Sequence, residues 1–281
     1  MQAIDISALI RPRPTEHPAR FVLAVPAGFQ QGRGAWGGLA TGAMTAAALL
    51  VDPRPELAVR ALSAQLVAPV LVGQVDLAVE ELRRGSGTNT LAVRMHGDSG
   101  DLLAHAVVVL GAARRGPDMP DGADWLGVTP PAALADGPDG VAVIPVGPPM
   151  APDFTAHLEF RPVAGLPYSG AAEDLTEGWI RPRGPQGPAD AALVAALADA
   201  WWVSVIVRMS GPRPAATVGF TLDLPGDPTA LARSADGGLE PLFHRGRSVA
   251  ARDGFTVEVR ELWTRDGRMV SWNTQTVAVI K

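Results

Sequence analysis

Three polar side chains stand where an oily core is expected. Asp199 is the only charged residue between Asp190 and Arg208, among Leu193, Val194, Leu197, Trp201, Trp202 and Val203. Gln275 lies in the run 271–279, where strand alternation puts it on the face of Val277 and Val279. Thr217 opens the run 217–224, in which Phe220, Leu222 and Leu224 alternate away from it. A buried carboxylate must be paired, hydrogen-bonded or protonated, because an unpaired buried charge is costly. A primary amide beside valines needs partners for both its oxygen and its nitrogen. Together, an acid, a hydroxyl and an amide can orient one water, with the carboxylate as base. Singly, each also has a structural reading: Asp199 on one wet face of a helix, Gln275 at a sheet margin, Thr217 as an ordinary strand residue.

The elements that would carry these residues occur twice. Residues 37–50 lack breakers after Gly42 and are rich in Ala, Leu and Met, which predicts a helix. Pro53-Arg54-Pro55 ends it, and a strand at 59–67 follows. The same order returns as a helix over 191–207, Pro212-Arg213-Pro214 and a strand at 217–224. Each copy closes with a hairpin: 90–96 with 102–111, and 256–264 with 269–280 around Asp266-Gly267. Further strands are predicted at 20–25, 75–82 and 157–161, with a short one at 178–181. Between the copies, residues 114–149 are crowded with Gly, Pro and Asp and read as a linker, partly ordered at best. A repeat of this size is one fold used twice, so differences between the copies point to the site. Pairing the Pro-Arg-Pro breaks sets Thr217 against Val59 and Asp199 against Thr41. Pairing the last hairpins sets Gln275 against Val108. The second copy is therefore the polar one.

Composition narrows the function classes. The chain has 281 residues, 47% of them hydrophobic, enough for a sizeable core. The net charge of −5 argues against a nucleic-acid protein, which usually shows a basic face. No cysteine is present, so disulfides, thiolate metal sites and a cysteine nucleophile drop out together, and a reducing compartment suits the chain. The first residues lack the charged and apolar regions of a signal peptide. The apolar run 191–207 is short for a membrane span and holds Asp199 at its middle.

Other motifs lead nowhere. Gly32-Arg33-Gly34-Ala35-Trp36-Gly37 matches the G-x-G-x-x-G pattern, but the strand after the helix has no acid at its end, as a dinucleotide fold requires. His17, His96, His105, His157 and His244 are scattered without zinc-hydrolase spacing. No G-x-S-x-G elbow exists.

Several short segments resemble one family. They are Ala35-Trp36-Gly37-Gly38-Leu39, Leu158-Glu159-Phe160-Arg161, Trp179-Ile180-Arg181, Leu197-Ala198-Asp199-Ala200, Ala216-Thr217-Val218 and the strand ending at Gln275. In these the chain is similar to the acyl-CoA thioesterase II family, over most of its length outside 114–149. The resemblance implies an α+β fold, a tandem double hot-dog in which two long helices are each wrapped by an antiparallel sheet. It implies an N-terminal repeat at 1–113, a linker at 114–149 and a C-terminal repeat at 150–281. It places a catalytic set on Asp199, Thr217 and Gln275, with a water activated to hydrolyse acyl-CoA to free acid and coenzyme A. The family often has an aromatic and a His after the threonine, where this chain reads Gly219-Phe220-Thr221-Leu222-Asp223. Uncapped N–H groups at a helix start can hold an oxyanion, and glycine lets a carbonyl approach. Gly37 and Gly38 are therefore the expected oxyanion residues. The resulting expectation is a cytoplasmic enzyme of lipid metabolism with no metal, no cofactor, no nucleic-acid partner and no membrane span. Assembly into a homo-oligomer is allowed but not required. Two other readings stay open: a hydratase or dehydratase on the same fold, and a non-catalytic acyl-binding module.

Overall fold

The computed structural model describes residues 3–114 and 127–280. In chain order the first half holds α1 (Ile6–Leu9), β1 (Arg13–Pro14), β2 (Arg20–Val25) and a small hairpin, β3 (Gln30–Gln31) with β4 (Gly34–Ala35). The long helix α2 (Gly37–Val51) follows, then β5 (Leu57–Leu66), β6 (Gly73–Arg84), β7 (Thr88–His96) and β8 (Leu102–Ala112). The second half holds β9 (Leu158–Ala164), β10 (Leu175–Pro182), α3 (Ala191–Ala198), β11 (Ala215–Asp223), β12 (Leu242–Arg252), β13 (Phe255–Trp263) and β14 (Met269–Val279). Twelve strands form one antiparallel sheet in the order β1-β2-β6-β7-β8-β5-β11-β14-β13-β12-β10-β9. Read outward from the β5–β11 seam, the two halves have the same strand order, and α2 packs on α3 inside. The fold is thus α+β, and the repeat seen in the sequence is a repeat of topology.

Helix α2 is apolar on nearly all sides because it is buried from Gly38 to Ala48. Its small residues serve close packing. A Cβ on Gly42 would lie 3.1 Å from the Ala192 carbonyl oxygen and 3.3 Å from the Ala196 Cβ. The Pro-Arg-Pro break also has a partner, since Arg54 donates to Asp52 at 2.8 and 2.7 Å and Asn89 donates to it at 2.7 Å.

The second helix differs from expectation. It has eight residues and ends at Ala198, followed by a short 3₁₀ turn at Ser204–Arg208. No Gly or Pro stops it. The stop is tertiary: the Asp199 carbonyl accepts from the Trp36 indole at 3.1 Å, and the Ala198 carbonyl accepts from Arg260 at 3.4 Å. The aromatic and β-branched run after Ala200 is also a poorer helix former than the alanines before it. Of the linker, residues 115–126 lie outside the described residues, and parts of the remainder pack on the second half. Leu134 joins Trp179, Phe243 and Trp263 in a cluster on the second half, and Ile144 pairs with Phe160. No helix among the described residues is long and apolar enough to cross a membrane.

Registers fix which residues correspond. Leu62 faces Val108, and Phe220 faces Gln275. Leu91 faces Val108, and Glu258 faces Gln275. Both seam strands carry a bulge at the same place, one between Val59 and Ala61, the other between Thr217 and Gly219. The sequence pairing of Thr217 with Val59 and Gln275 with Val108 is therefore the structural one. On this register Leu77, Leu91, Val93 and Val108 of the first half stand where His244, Glu258, Arg260 and Gln275 stand in the second.

Candidate active site

Asp199 sits at the carbonyl end of α3, and it is buried. A carboxylate there is electrostatically disfavoured by the helix it ends. It points instead at the start of α2, whose first N–H groups have no side-chain cap of their own. The Gly38 N–H bears on the carboxylate. A Cβ built on Gly37 would stand 2.7 Å from Asp199 Oδ2, so any side chain there would crowd that oxygen. The acid of one half thus faces the positive helix end of the other.

Gln275, from β14, donates through Nε2 to Asp199 Oδ1 at 3.1 Å and to Asn273 Oδ1 at 2.9 Å. Its Oε1 accepts from the Thr217 hydroxyl at 2.8 Å. The amide orientation follows from its neighbours, because a flipped Gln275 would turn its oxygen toward the carboxylate. Asn273 is oriented in turn by donating to the Thr221 carbonyl at 2.8 Å. The three predicted residues therefore converge as one hydrogen-bonded chain, Thr217 to Gln275 to Asp199. Asp199 Oδ1 is occupied, while Oδ2 faces Gly37.

One sequence inference about Thr217 fails. Simple alternation sends it away from Phe220, but the bulge at Val218 adds one residue to the strand. An extra residue reverses the side-chain alternation, so Thr217 turns inward with Phe220. Gly38 also has a packing reason to be glycine. Its Cβ would lie 2.3 Å from the Trp36 ring and 2.4 Å from the Ala196 carbonyl oxygen.

Burial pushes the Asp199 carboxyl up to about 6; Arg260, Gln275 and the Gly38 N–H pull the other way. The Arg260 Nη1 lies 3.9 Å from Asp199 Oδ1, and its Nε donates to Glu258 Oε1 at 2.9 Å. A buried acid with its pKa raised toward neutrality, set beside a helix start, is a group that can take a proton from water.

The sequence matches the profile of the acyl-CoA thioesterase N-terminal domain over residues 25–113 and that of the C-terminal domain over residues 130–279. The chain belongs to the acyl-CoA thioesterase family. No curated protein matches it in sequence. Among solved structures, this thioesterase-family chain is similar to a conserved protein of unknown function with a hot dog fold from Alicyclobacillus acidocaldarius. That likeness has a TM-score of 0.80 and 23% identity over 98% of each chain. It is also similar to a putative thioesterase II from Thermobifida fusca YX, with a TM-score of 0.75, 17% identity, and 100% and 99% of the two chains covered. The dehydratase domain of RzxB from Pseudomonas fluorescens shares the fold more loosely, with a TM-score of 0.57 and 14% identity over 98% and 99%. Such identities speak to the fold, a hot dog fold, and leave the chemistry to the site.

The sequence reading missed Arg260, Glu258 and Asn273 in this member of the acyl-CoA thioesterase family. A signal existed. Glu258 and Arg260 are two apart in a strand, so they share a face, and Asn273 shares the face of Gln275. Thr217→Val is close to isosteric and leaves the buried Gln275 Oε1 without its donor. We expect a loss of about 1–2 kcal/mol in urea melts, since an orphaned buried acceptor loses its hydrogen bond without regaining water. An unchanged midpoint would count against the hydrogen-bonded chain.

Proposed function

We propose that the protein hydrolyses acyl-CoA thioesters, with Asp199 Oδ2 as general base and Thr217 and Gln275 fixing it. The observation that carries this reading is a buried carboxylate whose Oδ1 is held by the Gln275 amide and whose Oδ2 is turned to the glycine-led start of α2. The thioester carbonyl would lie against the backbone N–H groups of Gly37 and Gly38, the Gly38 N–H exchanging its bond to Asp199 for the developing oxyanion at the positive helix end. Asp199 takes a proton from water as the water oxygen attacks the carbonyl carbon. The C–S bond then breaks, the acyl group leaves as the acid, and the proton goes to the coenzyme A sulfur. In the ground arrangement both N–H donors of Gln275 are engaged, so Gln275 orients the base and does not itself donate to the water. The first repeat (1–113) supplies the helix start, the second (150–281) supplies the polar groups, and 114–149 joins them.

The test is release of free thiol from acyl-CoAs of several chain lengths, with the acid product measured alongside. Thiol and acid in equal amounts are expected. The base must be ionised, so kcat/KM should rise with pH through a midpoint near 6. Hydration of an enoyl-CoA without thiol release would instead make this a hydratase, the chemistry opposite in sense to a dehydratase on this fold. Binding without turnover would make it an acyl-binding module.

A further inference from the structure

We propose that the Arg260–Glu258 pair is a positioning device for the hydrolytic site: Arg260 braces the Asp199 carboxylate and the helix end that carries it, and Glu258 limits how closely Arg260 approaches. The inference rests on Asp199 being the reactive carboxylate.

The pair is completely enclosed. Arg260 is 2% exposed and Glu258 0%. Taking two charges out of water costs several kcal/mol each, and a buried ion pair is often no more stable than apolar residues of similar size. The fold itself does not require it, because the corresponding positions of the first half hold Leu91 and Val93. What differs between the halves is the neighbour. In the second half the guanidinium reaches two features of the α3 end at once: the Ala198 carbonyl at 3.4 Å and Asp199 Oδ1 at 3.9 Å. A cation at a helix carbonyl end is favourable, and here it offsets the unfavourable placement of a carboxylate at the same end.

Glu258 sets the geometry of this brace. Its Oε1 accepts from Arg260 Nε at 2.9 Å, and its Oε2 accepts from the Ser204 N–H at 2.9 Å. That second bond ties Arg260 to the 3₁₀ turn just beyond α3. Arg260 is therefore shared between two carboxylates, tightly with Glu258 and at longer range with Asp199. Asp199 keeps its oxygens for Gln275 and for the helix start at Gly37, and does not collapse into a direct bidentate ion pair that would make it a poor base.

Among the described residues, the other groups facing Asp199 carry no charge. α2 brings Gly37 and Gly38, preceded by Trp36; β5 brings Leu66; β11 brings Thr217; β14 brings Asn273 and Gln275. From β12, His244 faces Arg260, and burial keeps its imidazole well below its ordinary range and so neutral. Among the described residues, Arg260 and Glu258 are thus the charges that act on Asp199, and they act in opposite senses.

That opposition gives the test. Asp199 is followed in the intact protein by the pH titration of its side-chain carboxyl carbon in NMR, and in parallel by the acid limb of acyl-CoA hydrolysis. Glu258→Gln removes a negative neighbour, so the midpoint should move to lower pH, by about half a unit or more. The double substitution Glu258→Leu with Arg260→Val installs the residue types of the first half and leaves no orphaned charge of the pair. Removing the nearer cation should move the midpoint upward, by about one unit or more, with turnover retained on the alkaline side. A purely structural pair would leave the midpoint in place in any folded variant. Midpoints that coincide with the wild type, or that move in the same direction in both variants, overturn the proposal. If the double variant does not fold, Glu258→Gln decides alone: a midpoint that stays or rises overturns it. The NMR titration needs no turnover, so a wild-type protein that releases no thiol would refute the hydrolase reading without touching this result.

Discussion

Asp199→Asn should lower acyl-CoA turnover by about 10²–10⁴-fold at pH 8, the usual worth of a positioned general base, while the protein stays folded. Asparagine keeps the shape and can still accept from Gln275 Nε2, but it cannot take a proton. The same substitution should stabilise the fold, and the sign follows from the raised pKa. Asp199 moves from 3.8 to about 6 because burial penalises the charged form. Below pH 3.8 the acid is neutral in both folded and unfolded chains, so no penalty exists. Above about 6 the folded chain bears the whole penalty, on the order of 3 kcal/mol for a shift of this size. The variant should therefore gain about 1–3 kcal/mol over the wild type at pH 8 and little at pH 4. Denaturant melts at the two pH values read this directly. Wild-type turnover by the variant would remove Asp199 from the chemistry, and equal stability at both pH values would mean its burial is not felt.

Gly38→Ala should damage both the helix contact and the site. The new Cβ would meet the Trp36 ring at 2.3 Å and the Ala196 carbonyl oxygen at 2.4 Å. Backbone cannot yield as a flexible side chain can, so α2 and α3 must part. Overpacking costs about 1–3 kcal/mol, occasionally more, and a clash against backbone belongs at the upper end. A melting-temperature drop of about 5 °C is expected for a chain of this size. Trp36 also donates to the Asp199 carbonyl, so the displaced ring would take the acid with it and activity should fall beyond the loss of folded protein. Gly42→Ala is the control one turn along, where the nearest contacts are 3.1 to 3.3 Å and a small shift relieves them. If the two variants melted together, the helix contact at Gly38 would not be as close as described.

Much of this architecture can be read from sequence because its signals are local. The strand at Arg20–Val25 and the helix beginning at Gly37 follow from alternation, from alanine content and from the proline that stops the helix. The repeat is visible because Pro-Arg-Pro occurs at corresponding places, and the two matching bulges show why that pairing works. Thr217, Gln275 and Asp199 could be picked out as polar residues in apolar company. What escaped was set by distant parts of the chain. The end of α3 depends on Trp36 and Arg260, which lie 163 and 62 residues from their acceptors. The inward turn of Thr217 depends on a bulge at Val218, of which Gly219 beside it is the one local sign. Arg260 and Glu258 look like ordinary charges on an exposed strand face until the sheet closes over them. The Gly-rich stretch before Phe154 looks loose by composition, yet Leu134 packs against two tryptophans.

The seam between β5 and β11 has a consequence for how such a site can be maintained. A protein assembled from two identical half-length chains would have to place the buried acid, the amide and the ion pair in every subunit, and bear their destabilising effect twice. Covalent tandem arrangement breaks that symmetry. One half is free to keep Leu91, Val93 and Val108 and act as the stable partner, while the other concentrates the unfavourable groups. Such a molecule should titrate with a single equivalent of a tight transition-state analogue per chain, not two.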